Sequence, residues 1–235
     1  MPDIPEAFTY EGTELLVLSE QLVNYNKVIA NLVAAHVRSG DRVLDFGAGV
    51  GTLTRVVAKR IGKMECVEID SRQRAVLEQQ GFHCYPSLED VPRESFDVVY
   101  SSNVLEHIFD DVDALRRLRM ALRPGGRIVL YVPAFQSLYT AMDAAIGHHR
   151  RYDVPTLRTR MIEAGFDVRE AYYVDLIGYV ISWIFKRVSN NVDAVNATTL
   201  KIYDTFVFPL SRVLERLRKP LFGKNVFAVG TRSAD

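Results

Sequence analysis

The stretch that decides the fold is Val43-Leu-Asp-Phe-Gly-Ala-Gly-Val-Gly51, an apolar run that contains an acid and ends in three closely spaced glycines. Apolar residues at helical spacing resume at Leu53, Val56 and Val57, so the pattern predicts a strand, a glycine turn and a helix. Glycines let the backbone turn tightly and let a ligand approach main-chain atoms that a Cβ would shield. At the carboxyl edge of the first strand of an open α/β sheet, such a turn is the expected ligand crevice.

The segments around this turn alternate between helix and strand. A helix opened by Ser19 and closed by Gly40 precedes the turn, and apolar strands are predicted at 64–69, 82–85, 96–100 and 128–132. One helix capped by Ser71, another over 104–122 and a turn at 123–126 separate these strands. Continuous apolar strands separated by helices favour a parallel sheet with right-handed crossovers.

The pattern changes after Pro133. Residues 134–153 show no strand pattern, Asp153 is predicted to start a helix that ends at Gly165, and a strand is predicted over 166–174. Two apolar, aromatic-rich helices between 176 and 219, joined by a polar stretch at 189–199, precede a last strand over 225–231. The 235 residues therefore favour one catalytic-size domain with an appendage.

Composition excludes several classes of protein. The 29 Lys and Arg residues balance 29 Asp and Glu residues, so the cationic field of a nucleic-acid binder is absent. Cys66 and Cys84 lack metal-site spacing and are predicted to be buried thiols in strands. The longest uncharged stretch of the C-terminal region, 176–185, is half of the roughly 20 residues that a spanning helix needs. With no secretory signal at the start of the sequence, we expect a cytoplasmic protein.

The glycine turn by itself is compatible with a nicotinamide or flavin site, or with a tight turn that binds nothing. Its spacing is Gly-x-Gly-x-Gly, whereas dinucleotide binders place the third glycine one residue later to seat a pyrophosphate. Glu68 follows the next apolar strand, where a carboxylate can accept both hydroxyls of a ribose. The two features together favour a nucleoside ligand without a diphosphate.

The chain resembles the class I S-adenosylmethionine-dependent methyltransferases over residues 20–170. The matching motifs are Val43 to Gly51, Val67-Glu-Ile-Asp70, Phe96-Asp-Val-Val-Tyr-Ser-Ser-Asn-Val-Leu-Glu-His107 and Leu122-Arg-Pro-Gly-Gly126. The resemblance implies a doubly wound α/β fold with a seven-stranded, mostly parallel sheet whose last strand inserts antiparallel beside the sixth. The core is then 41–175 with 224–235, residues 1–40 close over the cofactor, and 176–223 form a helical insertion.

The resemblance also implies roles for individual residues around S-adenosylmethionine. Asp45 and the glycine turn hold the methionine end, Glu68 the ribose, and the loop at Ser87 the adenine. Many relatives have Asp where Ser87 stands, so a backbone contact or the Ser87 hydroxyl is expected to replace that carboxylate. Tyr25, in a helix expected to close over the cofactor, is either a cofactor contact or a core residue. The predicted cofactor-binding set is Tyr25, Asp45, Gly47, Ala48, Gly49, Gly51, Glu68, Ile69, Ser87, Leu88 and Asn103.

Catalysis requires an aligned acceptor and, where that acceptor is protonated, a base. His107, at the carboxyl edge after the fourth strand, is a candidate base, and its alternative role is to pack against the cofactor or cap a helix. His148 and His149 are further candidates. One carboxylate and one imidazole, Glu106 and His107, make a weak Mg²⁺ site, so the sequence predicts no metal.

The run Gly147-His-His-Arg-Arg-Tyr152 is the predicted acceptor loop. It resembles a segment of a bacterial subgroup found with cell-envelope and glycoconjugate genes. Glu106, Arg150, Arg151 and Tyr152 are the predicted substrate-binding residues, with the two arginines holding an acidic group of the acceptor. The alternative is a solvated loop whose arginines pair with acids such as Asp153.

The sequence therefore predicts a methyltransferase for a small-molecule, glycoconjugate or lipid-linked acceptor. The alternatives are an O- or N-methyltransferase of a free aromatic or sugar metabolite, and a non-enzymatic cofactor-binding module. The apolar segment 176–223 is compatible with a cap over the acceptor, a homodimer interface, or peripheral contact with anionic lipid.

Overall fold

A seven-stranded sheet organises the computed structural model, which describes residues 20–188, 197–217 and 220–233. The strand order is β3-β2-β1-β4-β5-β7-β6, and β7 runs antiparallel to both of its neighbours. The strands are β1 (Val43–Phe46), β2 (Glu65–Val67), β3 (His83–Tyr85), β4 (Phe96–Ser102), β5 (Leu122–Pro133), β6 (Phe166–Val174) and β7 (Asn225–Arg232). The predicted fold class and the antiparallel insertion of the last strand are confirmed.

Helices cover both faces of this sheet. They are α1 (Val23–Ala34), α2 (Thr52–Ile61), α3 (Ser71–Gln79), α4 (Asp111–Ala121), α5 (Ala141–Ala145), α6 (Val154–Glu163), α7 (Leu176–Val188), α8 (Ala197–Ile202) and α9 (Phe208–Leu217). On one face, Leu115 of α4 and Leu157 of α6 belong to the same buried apolar cluster as Val99 of β4. On the other face, Ile29 of α1 and Val57 of α2 belong to a separate apolar cluster. This two-sided burial explains the continuous apolar runs of the central strands.

Two local predictions were wrong, each because of a hydrogen bond that spacing does not reveal. The helix predicted over 104–122 is a short 3₁₀ turn (Leu105–His107) followed by α4, because the Asp110 carboxylate accepts from the Asp113 amide and starts a new helix. Asp70, rather than Ser71, caps α3 by accepting from the amides of Arg72 and Gln73. The predicted turn at 123–126 falls within the bounds of β5, where these four residues lie between the pair of Phe96 with Leu122 and the pair of Val98 with Arg127.

The N-terminal end of α1 is capped from far away in the chain. The predicted cap, Ser19, lies outside the described residues, and Leu22 provides no side-chain cap. Instead, the Asp204 carboxylate accepts from the amides of Asn24 at 2.9 Å and Tyr25 at 2.8 Å. Asp204 belongs to a π-helical segment (Tyr203–Val207) between α8 and α9, so α1 is tied directly to the C-terminal helices.

The C-terminal helices bury one side and expose another. α7 packs beside α9, and each of the two helices exposes several large apolar side chains to solvent. These are Val180, Ile181, Trp183 and Ile184 of α7, with Leu210, Val213 and Leu214 of α9. Among the described helices, none combines the length and apolarity that a bilayer span requires. Cys66 and Cys84 are buried free thiols on neighbouring strands, as predicted.

Candidate functional site

A cavity of about 900 Å³ opens at the carboxyl ends of β1, β2 and β4. One part of its lining, the cofactor wall, is the glycine turn with Glu68, and another part, the far wall, is the loop that contains Ile146, Gly147 and His149. The predicted site residues that line it are Gly47, Gly49, Glu68, Ile69, Ser87, Leu88, Asn103, His107 and His149. Those that lie outside its lining are Tyr25, Asp45, Ala48, Gly51, Glu106, His148, Arg150, Arg151 and Tyr152. The structure therefore brings predicted cofactor-binding and acceptor-binding residues to one cavity, while other members of both sets lie outside its lining.

The glycine turn is shaped by backbone conformations and close approaches that exclude a side chain. Gly47 has a φ of +79°, and a Cβ there would lie 2.4 Å from a methyl carbon of Val104. The Gly47 and Ala48 amides both donate to the Val67 carbonyl, at 2.9 and 3.2 Å. The turn is thus folded back onto the end of β2 and presents bare backbone to the cavity.

Glu68 connects the turn to the next strand. Its carboxylate accepts from the Gly49 amide at 2.7 Å and from the Asp70 amide at 2.9 Å. Burial raises the pKa of Glu68 above its ordinary value. Each carboxylate oxygen can accept more than one hydrogen bond, so both retain capacity toward a ligand in the cavity.

Asp45 lies beneath the turn. Thr54 and Tyr100 donate their hydroxyl protons to its Oδ2 atom, at 2.7 and 2.5 Å. Burial raises the pKa of Asp45 to about 7. In this position the side chain braces β1 against β4 and α2, and its contact with the methionine end of a cofactor stays a prediction.

Asn103 is part of the cavity lining, whereas Tyr25 is not. Asn103 lines the cavity with a φ of +54°. Tyr25 packs against the rings of Tyr131 and Phe208, and its hydroxyl lies 3.4 Å from the Asn225 amide oxygen. The structure thus places Tyr25 in an aromatic cluster behind the cavity wall.

The side chains of Glu106, His107 and His148 lie close together, and His107 is also part of the cavity lining. Glu106 is completely buried, and the nearer of its oxygens lies 3.8 Å from Nε2 of His148. Burial raises the pKa of Glu106 to about 8. The His107 and His148 rings meet edge to face with their centroids 4.5 Å apart. Burial and the neighbouring imidazole lower the pKa of His107 to about 4, so this ring is neutral at pH 7.

Asp143 is a site residue that the sequence reasoning missed. It binds Nδ1 of His148 at 2.8 Å and accepts two hydrogen bonds from the Arg151 guanidinium, at 2.9 and 3.0 Å. Although burial opposes it, these partners hold the pKa of Asp143 at about 2. The available signal was Thr140-Ala-Met-Asp143, the spacing of a capping box at the start of α5.

Arg150 and Tyr152 meet at a second buried aspartate. The Arg150 guanidinium lies 2.8 Å from a carboxylate oxygen of Asp111, and the Tyr152 hydroxyl donates to the same oxygen at 2.9 Å. Asp153, the acid named from the sequence, instead caps α6. Both arginine charges of the loop are therefore engaged inside the fold, and neither guanidinium lies in the cavity lining.

Sequence comparisons point to one family. Residues 20–171 match a family model described as a methyltransferase domain. An uncharacterised transposon protein of Streptomyces fradiae is 31% identical over 150 residues, covering 57% of this chain and 41% of that protein. A ubiquinone/menaquinone biosynthesis C-methyltransferase of Methylococcus capsulatus is 32% identical over 110 residues, covering 41% of this chain and 44% of that protein. The chain spans less than half the length of these curated relatives.

Solved structures share the fold at low identity. A S-adenosylmethionine-dependent methyltransferase from Archaeoglobus fulgidus superposes with a TM-score of 0.62 at 18% identity, covering 93% of this chain and 99% of that one. A phosphoethanolamine N-methyltransferase of Haemonchus contortus, solved with S-adenosylmethionine, gives a TM-score of 0.62 at 16% identity, covering 97% of this chain and 58% of that one. The family model matches more than half of the sequence, and the matched residues include the glycine turn. The chain belongs to the class I S-adenosylmethionine-dependent methyltransferases.

Proposed function

We propose that the protein transfers the methyl group of S-adenosylmethionine to a small-molecule acceptor, either free or carried on a lipid or sugar. The observation that carries this proposal is the cavity itself, in which the glycine turn and Glu68 face the loop of Ile146, Gly147 and His149. Its volume lies within the roughly 300–1,000 Å³ of small-molecule sites. The balanced charge of the chain gives no support to a nucleic-acid acceptor.

The residues of the cofactor wall fit S-adenosylmethionine. Gly47 and Gly49 leave a backbone cradle that a Cβ at Gly47 would close, and Glu68 stands at its edge with acceptor capacity for ribose hydroxyls. Ser87 and Leu88 line the cavity beyond Glu68, where the adenine is expected. When bound, the cofactor supplies a methyl group on a positively charged sulfur. The chain's own residues hold and orient it.

The acceptor wall combines aliphatic and imidazole side chains. Ile108 and Ile146 provide apolar surface, while His107 and His149 provide ring nitrogens. Holding an acceptor in line with the methyl group supplies most of the acceleration, because alignment replaces an encounter in solution. An acceptor that loses a proton as it attacks can pass it to His149, which faces the cavity and packs against Phe109.

The exposed apolar side chains of α7 and α9 support the lipid-linked form of the acceptor. Trp183 carries the Arg187 guanidinium over its ring at 3.9 Å, a pairing of an aromatic with a cation that suits an interface between lipid and water. No described residue of α7, α8 or α9 is among the residues that line the cavity.

The experiment is a screen with S-adenosylmethionine that carries a labelled methyl group. Purified protein is incubated with cell extract, which is then separated into water-soluble metabolites, organic-soluble lipids, protein and nucleic acid. Label in the first two fractions is expected, and its distribution distinguishes a free from a lipid-linked acceptor. Incorporation of label at limiting S-adenosylmethionine should fall with Glu68→Ala and persist with Glu78→Ala, which removes an exposed carboxylate of α3. Label confined to protein or nucleic acid would contradict the proposal.

A further inference from the structure

The cluster of Glu106, His107 and His148 has the composition and spacing of a metal site. One ligand atom from each residue lies within 4.8 Å of the others, and Nε2 of His148 is 3.8 Å from the nearer Glu106 oxygen. Ligands of a tetrahedral ion with bonds of about 2.0–2.1 Å lie about 3.4 Å apart. Small side-chain rotations would therefore close the cluster around one ion. We propose that these three residues bind a first-row divalent transition-metal ion.

Glu106 provides the first argument. It is completely buried, and within the residues that the structure describes neither of its carboxylate oxygens has a hydrogen-bond partner. A buried polar group without a partner is costly and rare in native proteins. A cation between Glu106 and the two imidazoles would satisfy both the charge and the coordination capacity of the carboxylate.

The surroundings of the two imidazoles provide the second argument. Nδ1 of His148 is held by the Asp143 carboxylate at 2.8 Å, and Arg151 fixes that carboxylate in turn. Backbone hydrogen bonds at Ile146 and Gly147 orient the His107 ring. Histidines that bind metals nearly always have the other ring nitrogen held by a carboxylate or a backbone carbonyl. Here Nε2 of His148 is the nitrogen left to face Glu106.

The donor set selects the kind of ion. Two imidazoles with one carboxylate suit Zn²⁺ and its first-row neighbours, whereas Mg²⁺ prefers oxygen ligands. The sequence-based expectation of no metal considered only Glu106 and His107, and the fold adds His148 from a loop about 40 residues later. Three protein ligands leave a position open, as in catalytic zinc sites.

The open coordination position would connect the ion to the proposed methyl transfer. His107 belongs both to the cluster and to the cavity lining, so the ion would stand at the acceptor wall. An acceptor hydroxyl bound to the ion would lose its proton more readily, which makes it a better nucleophile. This catalytic role rests on the proposed function, while metal binding itself does not.

The test is a zinc titration of the full chain without an affinity tag. Protein stripped with a chelator is titrated with Zn²⁺ in competition with a chromophoric indicator, alongside Glu106→Gln, His148→Asn and the control His149→Asn. His149 lines the same cavity but lies outside the cluster. We expect one Zn²⁺ per chain in wild type and in the control, and at least about tenfold weaker binding in the two ligand variants.

A second readout guards against variants that fail to fold. Zn²⁺ should raise the unfolding temperature of wild type and His149→Asn but leave that of the ligand variants unchanged, and Mg²⁺ should raise none of them. If a ligand variant does not unfold cooperatively, Asp143→Asn replaces it, with an expected loss of about 10–100-fold in Zn²⁺ affinity. Wild-type binding weaker than about 100 µM, or equal binding by His148→Asn, would overturn the metal site. Neither readout uses turnover, so such a result leaves the proposed methyl transfer standing.

Discussion

Asp45→Asn is expected to remove a pH-dependent loss of stability that originates in β1. Burial raises the pKa of Asp45 to about 7, whereas the pKa of an Asp in an unfolded chain is about 3.9. Between these values the unfolded chain has released a proton that the folded chain still holds, so the free energy of unfolding falls as pH rises. From pH 5 to the folded pKa this amounts to two pH units at about 1.4 kcal/mol each, or about 3 kcal/mol. The amide variant loses this titration, while its oxygen still accepts from Thr54 and Tyr100.

The assay is urea unfolding of wild type and Asp45→Asn at pH 5, 6, 7 and 8. Subtracting the two free energies at each pH cancels the titration of groups that both proteins share. The difference should move in favour of Asp45→Asn by about 3 kcal/mol across this range. Asp167→Asn, which removes an exposed carboxylate of β6, is the matched control and should run parallel to wild type. A difference that stays constant within about 0.5 kcal/mol would refute the reasoning.

Three further changes test the cavity and its surroundings. Glu68→Ala should weaken binding of S-adenosylmethionine by the roughly 1.5–3 kcal/mol of hydrogen bonds to a charged group, and unchanged affinity in calorimetry would remove Glu68 from the cofactor site. Gly47→Ala should abolish cofactor binding, because its Cβ would collide with Val104 and its φ is left-handed; binding within twofold of wild type would contradict a tightly shaped cradle. Arg151→Gln should lower the free energy of unfolding by roughly 3 kcal/mol, because it leaves the buried Asp143 without its guanidinium. Intact stability with a raised KM for the acceptor would instead return Arg151 to the substrate site.

The sheet and the place of Gly47, Gly49 and Glu68 in the cavity lining were predictable because their signals are local. The run that ends at Gly51 combines an apolar strand, an acid and closely spaced glycines within nine residues, and Glu68 follows its own strand directly. The antiparallel place of β7 came from the family resemblance, since periodicity alone does not order strands. The confirmed alternation of strands and helices therefore rests on motifs whose residues are neighbours in the chain, and the confirmed place of β7 rests on the resemblance.

The loop that carries Arg150 and Arg151 was less predictable, because its side chains pair with residues that are distant in the sequence. Asp111 and Asp143 read in the sequence as ordinary helix acids, yet the fold buries both and pairs them with Arg150 and Arg151. A basic loop beside a crevice predicts an anion site only if its charges are not already paired. That condition depends on contacts which spacing does not report.

The cap that Asp204 gives to α1 has a consequence for the order in which the protein is made. The amides of Asn24 and Tyr25 are synthesised about 180 residues before their acceptor. At about 5–20 residues per second, α1 leaves the ribosome roughly 9–36 s before its cap exists. A helix end without its cap loses about 0.5–2 kcal/mol. This tie between α1 and the C-terminal helices can therefore form only after Asp204 has been synthesised, and a nascent chain released before Asp204 lacks it.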